Sequence, residues 1–178
     1  MDSIVIQDAC VLINLLASER FEDIAHGCDL RFAIVSVVAQ ESMYLHRAGS
    51  SERETIDLKP LIAQGLLQTL SADSENEKLR YIELALNLDD GEAESVAIAE
   101  ARNFALATDD RKARNLIQRE GLKIVLWSTC SLLQQWQAKC SIPDEDLKAV
   151  LTNIFNRARY RPKPGHPHFQ WWTDLTQS

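Results

Sequence analysis

Short apolar runs alternate with longer amphipathic stretches along this chain, and that alternation restricts its fold more than any other feature. Ser3 to Ile6, Leu30 to Val35, Leu66 to Leu70, Phe104 to Ala107 and Lys123 to Trp127 are of strand length and rich in apolar or β-branched residues. Between them lie stretches of helical length. The run ACVLINLLA, residues 9–17, follows Asp8, which stands where a helix N-cap is expected. Ser36 offers a cap for a helix over Val37–Arg47, and residues 52–64 read as a further helix. Ser74 and Glu77 form a capping box before LRYIELALNL. Gly91 breaks the pattern, and a helix is expected from Glu92 to Arg102. Another follows Asp110 up to Gly121, and two more cover 131–139 and 144–158. This order predicts an α/β fold with a mainly parallel sheet of about five strands flanked by helices.

A chain of 178 residues buries about two-thirds of its unfolded surface, so it needs no disulfide or metal staple. No apolar run approaches the ~20 residues of a membrane helix, and the first residues, MDSIVIQDAC, lack the basic start of a signal peptide. Cys10, Cys28, Cys130 and Cys140 show no metal-type spacing and read as buried free thiols in a reducing cytoplasm. The net charge of −7 argues against gripping nucleic acid by bulk electrostatics. The charge is uneven, however. Residues 153–178 carry a net +3, with Arg157, Arg159, Arg161 and Lys163 against Asp174, which leaves −10 on the rest. An acidic body can still act on RNA when divalent cations neutralise its carboxylates, and a basic tail can contact phosphates.

The acids fall at matching places. Asp8 ends the first strand, and Asp109 and Asp110 follow the fourth. Glu41 lies early in the helix after the second strand, and Glu92 and Glu94 open the helix that leads into the fourth. Right-handed crossovers put strand C-termini on one edge, so four segments deliver carboxylates to one side of the sheet. Each has a plainer alternative: Asp8 as a helix cap, Glu41 as a solvated helix acid, Glu92 and Glu94 as complements to a helix dipole, and Asp109-Asp110 as a capping turn. Gathered together, like charges repel unless compensated, and a hard oxygen-seeking cation compensates them. Such clusters suit metal-assisted phosphodiester hydrolysis.

The stretches IVIQDACVLINLL, VSVVAQES, DDGEAESVAIAEARNFALATDDRKAR and REGLKIVLWSTCSLL resemble, in order and spacing, the successive blocks of PIN-domain proteins over residues 3–140. The resemblance implies a PIN-like three-layer fold and a Mg²⁺- or Mn²⁺-dependent ribonuclease in which Asp8, Glu41, Glu92 and Asp110 hold the metal. Glu94 and Asp109 stand as further candidate ligands, with Thr108 of the T-x-D turn as a supporting hydroxyl. Glu92 is preferred to Glu94 because family members commonly place the third acid about 18 residues before the last. It also implies a cytoplasmic homodimer and, among VapC-like toxins, an antitoxin partner that covers the acidic groove. A PIN fold used only to bind RNA or protein is the alternative. A haloacid dehalogenase-type phosphatase would need a second Asp at Cys10, and a receiver domain would need a lysine where the fifth strand ends at Trp127-Ser128.

After Arg159 the composition changes. Pro162, Pro164, Gly165 and Pro167 exclude a regular element across 162–167. Residues 1–140 are therefore read as the nuclease-like domain and 141–178 as a helical extension with a basic, aromatic tail. In that tail Arg157, Arg159, Arg161 and Lys163 are the candidate RNA contacts. Phe169, Trp171 and Trp172 either stack bases or pack on the body or a second subunit.

Overall fold

The computed structural model describes residues 3–41, 43–47 and 49–177. Met1 and Asp2 of the chain start, and Ser42 within the stretch expected to be helical, lie outside the described residues, as do Ala48 and Ser178. In chain order the elements are β1 (Ser3–Gln7), α1 (Ala9–Ala17), α2 (Phe21–Gly27), β2 (Leu30–Val35), α3 (Ser36–Gln40), β3 (Tyr44–His46) and β4 (Arg53–Thr55). They continue with α4 (Lys59–Ala63), β5 (Leu67–Leu70), α5 (Glu75–Leu84), α6 (Asp90–Arg102), β6 (Ala105–Ala107) and α7 (Arg111–Arg119). The chain closes with β7 (Leu126–Trp127), α8 (Thr129–Cys140), α9 (Asp144–Ala158) and α10 (Phe169–Gln177).

Five strands form one parallel sheet in the order β5-β2-β1-β6-β7. The chain winds outward from β1 through β2 to β5, then returns to the other side of β1 for β6 and β7. The switch point therefore lies between β1 and β6, where α/β folds open a crevice beyond their strand ends. The centres of the inner strands are apolar because both faces are covered: Phe32, Ala33, Ile34 and Val35 of β2 are all buried. Helix α6 packs on β1, β2 and β6, with α3 and α5 against it, while α1, α2, α8 and α9 form a second packed group. Leu147, Val150, Leu151 and Ile154 of α9 and Trp172 of α10 belong to the same core as the sheet.

Several elements differ from expectation. The helix expected over Val37–Arg47 stops at Gln40, and Val35, not Ser36, occupies its N-cap position. Tyr44–His46 instead pairs antiparallel with Arg53–Thr55, so residues 52–64 are helical only over Lys59–Ala63. Three-residue strands have too short a period-2 pattern to be told from a helix turn. Gly91 does not break α6 but lies inside its first turn. The α2 and α10 helices were not anticipated. α10 follows the proline-rich stretch 162–167, and α2 is only seven residues long. Of the cysteines, Cys28 and Cys130 are buried, but Cys10 and Cys140 are exposed.

Candidate active site

The ends of β1 and β6 are tied to each other. The Asp8 N–H donates to the Ala107 carbonyl at 3.0 Å, so Asp8 and the Thr108-Asp109-Asp110 turn leave the sheet together at its switch point. Asp8 does cap α1, accepting from the Val11 N–H at 2.9 Å. Its second oxygen accepts from the Thr108 hydroxyl, and that hydroxyl accepts in turn from the Asp110 N–H at 3.0 Å. The buried Asp8 carboxyl is pushed up to about 6. Burial is the main cause and the charge of Asp109 adds to it, while the Thr108 and Val11 hydrogen bonds oppose it.

Asp110 caps α7, with one oxygen accepting from the N–H groups of Lys112 (2.6 Å) and Ala113 (2.8 Å). The Arg114 guanidinium donates to the carbonyls of Thr108 (3.0 Å) and Trp127 (2.9 Å), which fixes the turn against the end of β7. Asp109 is held by other partners: the Thr129 N–H at 3.1 Å, the Thr129 hydroxyl at 2.5 Å and the Asn14 amide at 3.3 Å. A lone asparagine in the apolar run of α1 was a sequence signal for a buried polar network.

Glu92 shares a reciprocal capping box with Asp89, whose carboxylate accepts from the Glu92 N–H at 2.8 Å. Burial, then the charges of Asp89, Asp110 and Asp8, push the Glu92 carboxyl up to about 7 against the Asp89 hydrogen bond. Glu41 stands at the C-cap of α3, and burial and Asp89 raise its carboxyl as well. Gly91 makes this approach possible. A Cβ there would meet Val38 Cγ2 at 2.9 Å and Glu41 Oε1 at 3.2 Å, so α6 opens with a glycine where α3 crosses it. Asp89 was missed in the sequence, although the run Asp89-Asp90 just ahead of Gly91 was its signal.

Glu94 is a correction. Its carboxylate is buried and accepts from the Ser36 hydroxyl (3.1 Å), the Val37 N–H (3.1 Å) and the Ala72 N–H (3.2 Å). It ties the start of α3 and the end of β5 to α6, so its oxygens are taken up by the fold. The thiol of Cys10 senses the remaining cluster. Cys10 keeps solvent contact, yet burial and then the charges of Asp8, Asp109, Asp110 and Glu92 push its thiol up to about 12.

Asp8, Glu92, Asp109 and Asp110 are thus brought into one field, and Glu41 joins it through Asp89. Besides burial, the charges that most raise Glu41 and Glu92 are those of neighbouring carboxylates, and Asp109 does the same to Asp8. An all-oxygen, mutually repelling donor set fits a hard divalent cation. Among the described residues, no three His, Cys, Asp or Glu side chains already converge on one point. Local caps hold the carboxylates apart. A cavity of about 730 Å³ between α2, α8 and α9 is lined by none of these acids.

A family model described as a PIN domain matches residues 4–165. The chain belongs to the PIN-domain family. Domains of this family are generally nucleases that use divalent metals, and the five-stranded parallel sheet is the fold they share. No curated protein and no solved structure matches this PIN domain.

The basic tail residues are not equivalent. Arg157 is mostly buried and paired with both Glu19 and Glu54, which fastens α9 to the end of α1 and to β4. Arg159, Arg161 and Lys163 are exposed, with the Arg161 guanidinium 5.8 Å from the Phe155 ring centre. No helix of the described chain is long and apolar enough to cross a membrane.

Proposed function

We propose that this PIN domain is a metal-dependent ribonuclease in which Asp8, Glu41, Glu92 and Asp110 hold one or two Mg²⁺ or Mn²⁺ ions. One observation supports the reading above the rest: the charges of acids from separate segments help to push the Asp8, Glu41 and Glu92 carboxyls up at the sheet switch point. When bound, a divalent ion supplies an activated water and neutralises charge on the scissile phosphate. The chain's own residues do the positioning. Val11 and Thr108 fix Asp8, Lys112 and Ala113 leave one oxygen of Asp110 open, and the Asp89 capping box leaves one oxygen of Glu92 open. Hydrolysis then leaves a 3′-hydroxyl and a 5′-phosphate. Arg159, Arg161 and Lys163 meet the RNA backbone, while Arg157 serves the fold. A toxin of a type II pair, active as a homodimer and silenced by an antitoxin segment laid over the acidic edge, is the finer form of this proposal.

The alternative is a PIN-fold binding module with little nuclease activity. The separation of the carboxylates favours it. RNA cleavage by purified protein with Mn²⁺ separates the two. The nuclease reading expects cleavage that drops more than about 100-fold in Asp8→Asn. No cleavage at all, or equal cleavage by both proteins, overturns it.

A further inference from the structure

A continuous chain of contacts runs from the acid cluster into the C-terminal segment. Asp109 is held by Thr129, and the next residue, Cys130, lies 3.8 Å from the Tyr160 hydroxyl. The Tyr160 ring meets buried Trp172 edge-on at 5.8 Å. Trp172 adjoins Trp171 at 6.4 Å, Trp171 meets His168 at 6.3 Å, and His168 meets His166 at 5.5 Å. The segment therefore folds back toward the T-D-D turn. Asp109 and Arg114 both act on His168, whose pKa is lowered mainly by burial, and Asp109 also acts on Tyr160.

The members of this row differ in surface. Trp172 is buried and anchors α10 to the core, whereas Trp171, His168 and His166 each keep part of their surface in solvent. Cations stand near this row: the charge of Arg114 reaches His168, and exposed Lys163, whose carbonyl accepts from the His166 N–H at 3.0 Å, lies in the same segment. Partly exposed rings with cations near them suit unpaired bases, because every base has a face to stack and a phosphate beside it. A duplex hides those faces and offers only its backbone and grooves.

We propose that His166, His168 and Trp171 form a stacking wall beside the carboxylate cluster, which selects single-stranded RNA and seats a base next to the bond to be cut. The proposal rests on the ribonuclease reading for its substrate but not for its test. Binding is measured by fluorescence anisotropy of a labelled oligoribonucleotide. The protein carries Asp8→Asn, which stops cutting and removes one repelling charge. Adding Trp171→Ala is expected to weaken single-strand binding about tenfold, with duplex RNA affected less than twofold and with Trp171→Phe restoring most of the loss. Unchanged single-strand binding, or equal loss for single and double strands, overturns the wall. If Trp171→Ala lowers the melting temperature by more than about 10 °C, the same comparison is made with His168→Ala, under the same expectations. A protein that cleaves RNA while Trp171 proves irrelevant to binding loses the wall and keeps the nuclease. One that binds through the wall but never cleaves loses the nuclease and keeps the wall.

Discussion

The two ends of helix α6 carry acids in opposite circumstances. At its C-terminal end, Arg80 pairs with Glu83, Glu100 and Glu120, and Arg102 pairs with Glu77 and Asp73. Arg102 also donates to the Ser71 carbonyl at 2.7 Å. There the buried Glu77 is held down to about 2 by the Arg102 guanidinium. At the N-terminal end, Glu92 is pushed up to about 7 among Asp89, Asp110 and Asp8. One helix thus separates acids that hold the fold from acids that burden it. A fold keeps uncompensated like charges at a stability cost, so the N-terminal end is where function is to be sought. Glu94, two residues from Glu92, belongs with the first kind: backbone N–H groups and a hydroxyl fully occupy it.

The largest expected effect tests this division on α6 itself. Glu92→Gln should lower Mn²⁺-dependent RNA cleavage by about 100-fold, while Glu94→Gln should change it less than threefold per folded molecule. Equal losses would erase the distinction. The next effect is on stability at the other end. Arg102→Ala leaves Glu77 without its main partner and should cost about 2 kcal/mol, or roughly 4–8 °C in melting temperature, without altering the metal response.

The pH dependence gives a smaller effect of opposite sign. Asp8 and Glu92 keep their protons up to about 6 and 7 when folded, against ordinary values of 3.8 and 4.5. Between those limits the folded chain binds more protons than the unfolded one, so this contribution to stability falls as pH rises from about 4 to about 7. Glu77 behaves in the reverse way, with its contribution lost only as pH falls toward about 2. Glu92→Gln should therefore flatten the decline and raise the melting temperature at pH 8. Discounted for solvent screening, the gain is roughly 1 kcal/mol, or about 2–4 °C. A lower melting temperature at that pH would show that Glu92 is compensated after all. Saturating Mn²⁺ should stabilise the unsubstituted protein more than Glu92→Gln, a difference that thermal melts with and without EDTA would reveal.

Much of the fold was legible because its signals are local. The Asp8 cap, the Ser74–Glu77 box and the apolar runs of the inner strands depend on residues within a few positions of one another. The β3–β4 hairpin was not legible, since three residues per strand carry no decisive period. Gly91 read as a break because its role is steric. Only the presence of Val38 and Glu41 across from it explains a glycine inside a helix.

Sequence alone therefore pointed to one edge of a parallel sheet for Asp8, Glu41, Glu92 and Asp110, because crossover hand and helix caps follow from short-range chemistry and chain geometry. It could not tell acids that repel from acids that are paired. Only the tertiary structure did so, by bringing Ser36, Val37 and Ala72 to Glu94, Thr129 and Asn14 to Asp109, and Arg102 to Glu77. The charge state of a carboxylate is set by whatever lies within a few ångströms, and here most of those partners come from distant parts of the chain.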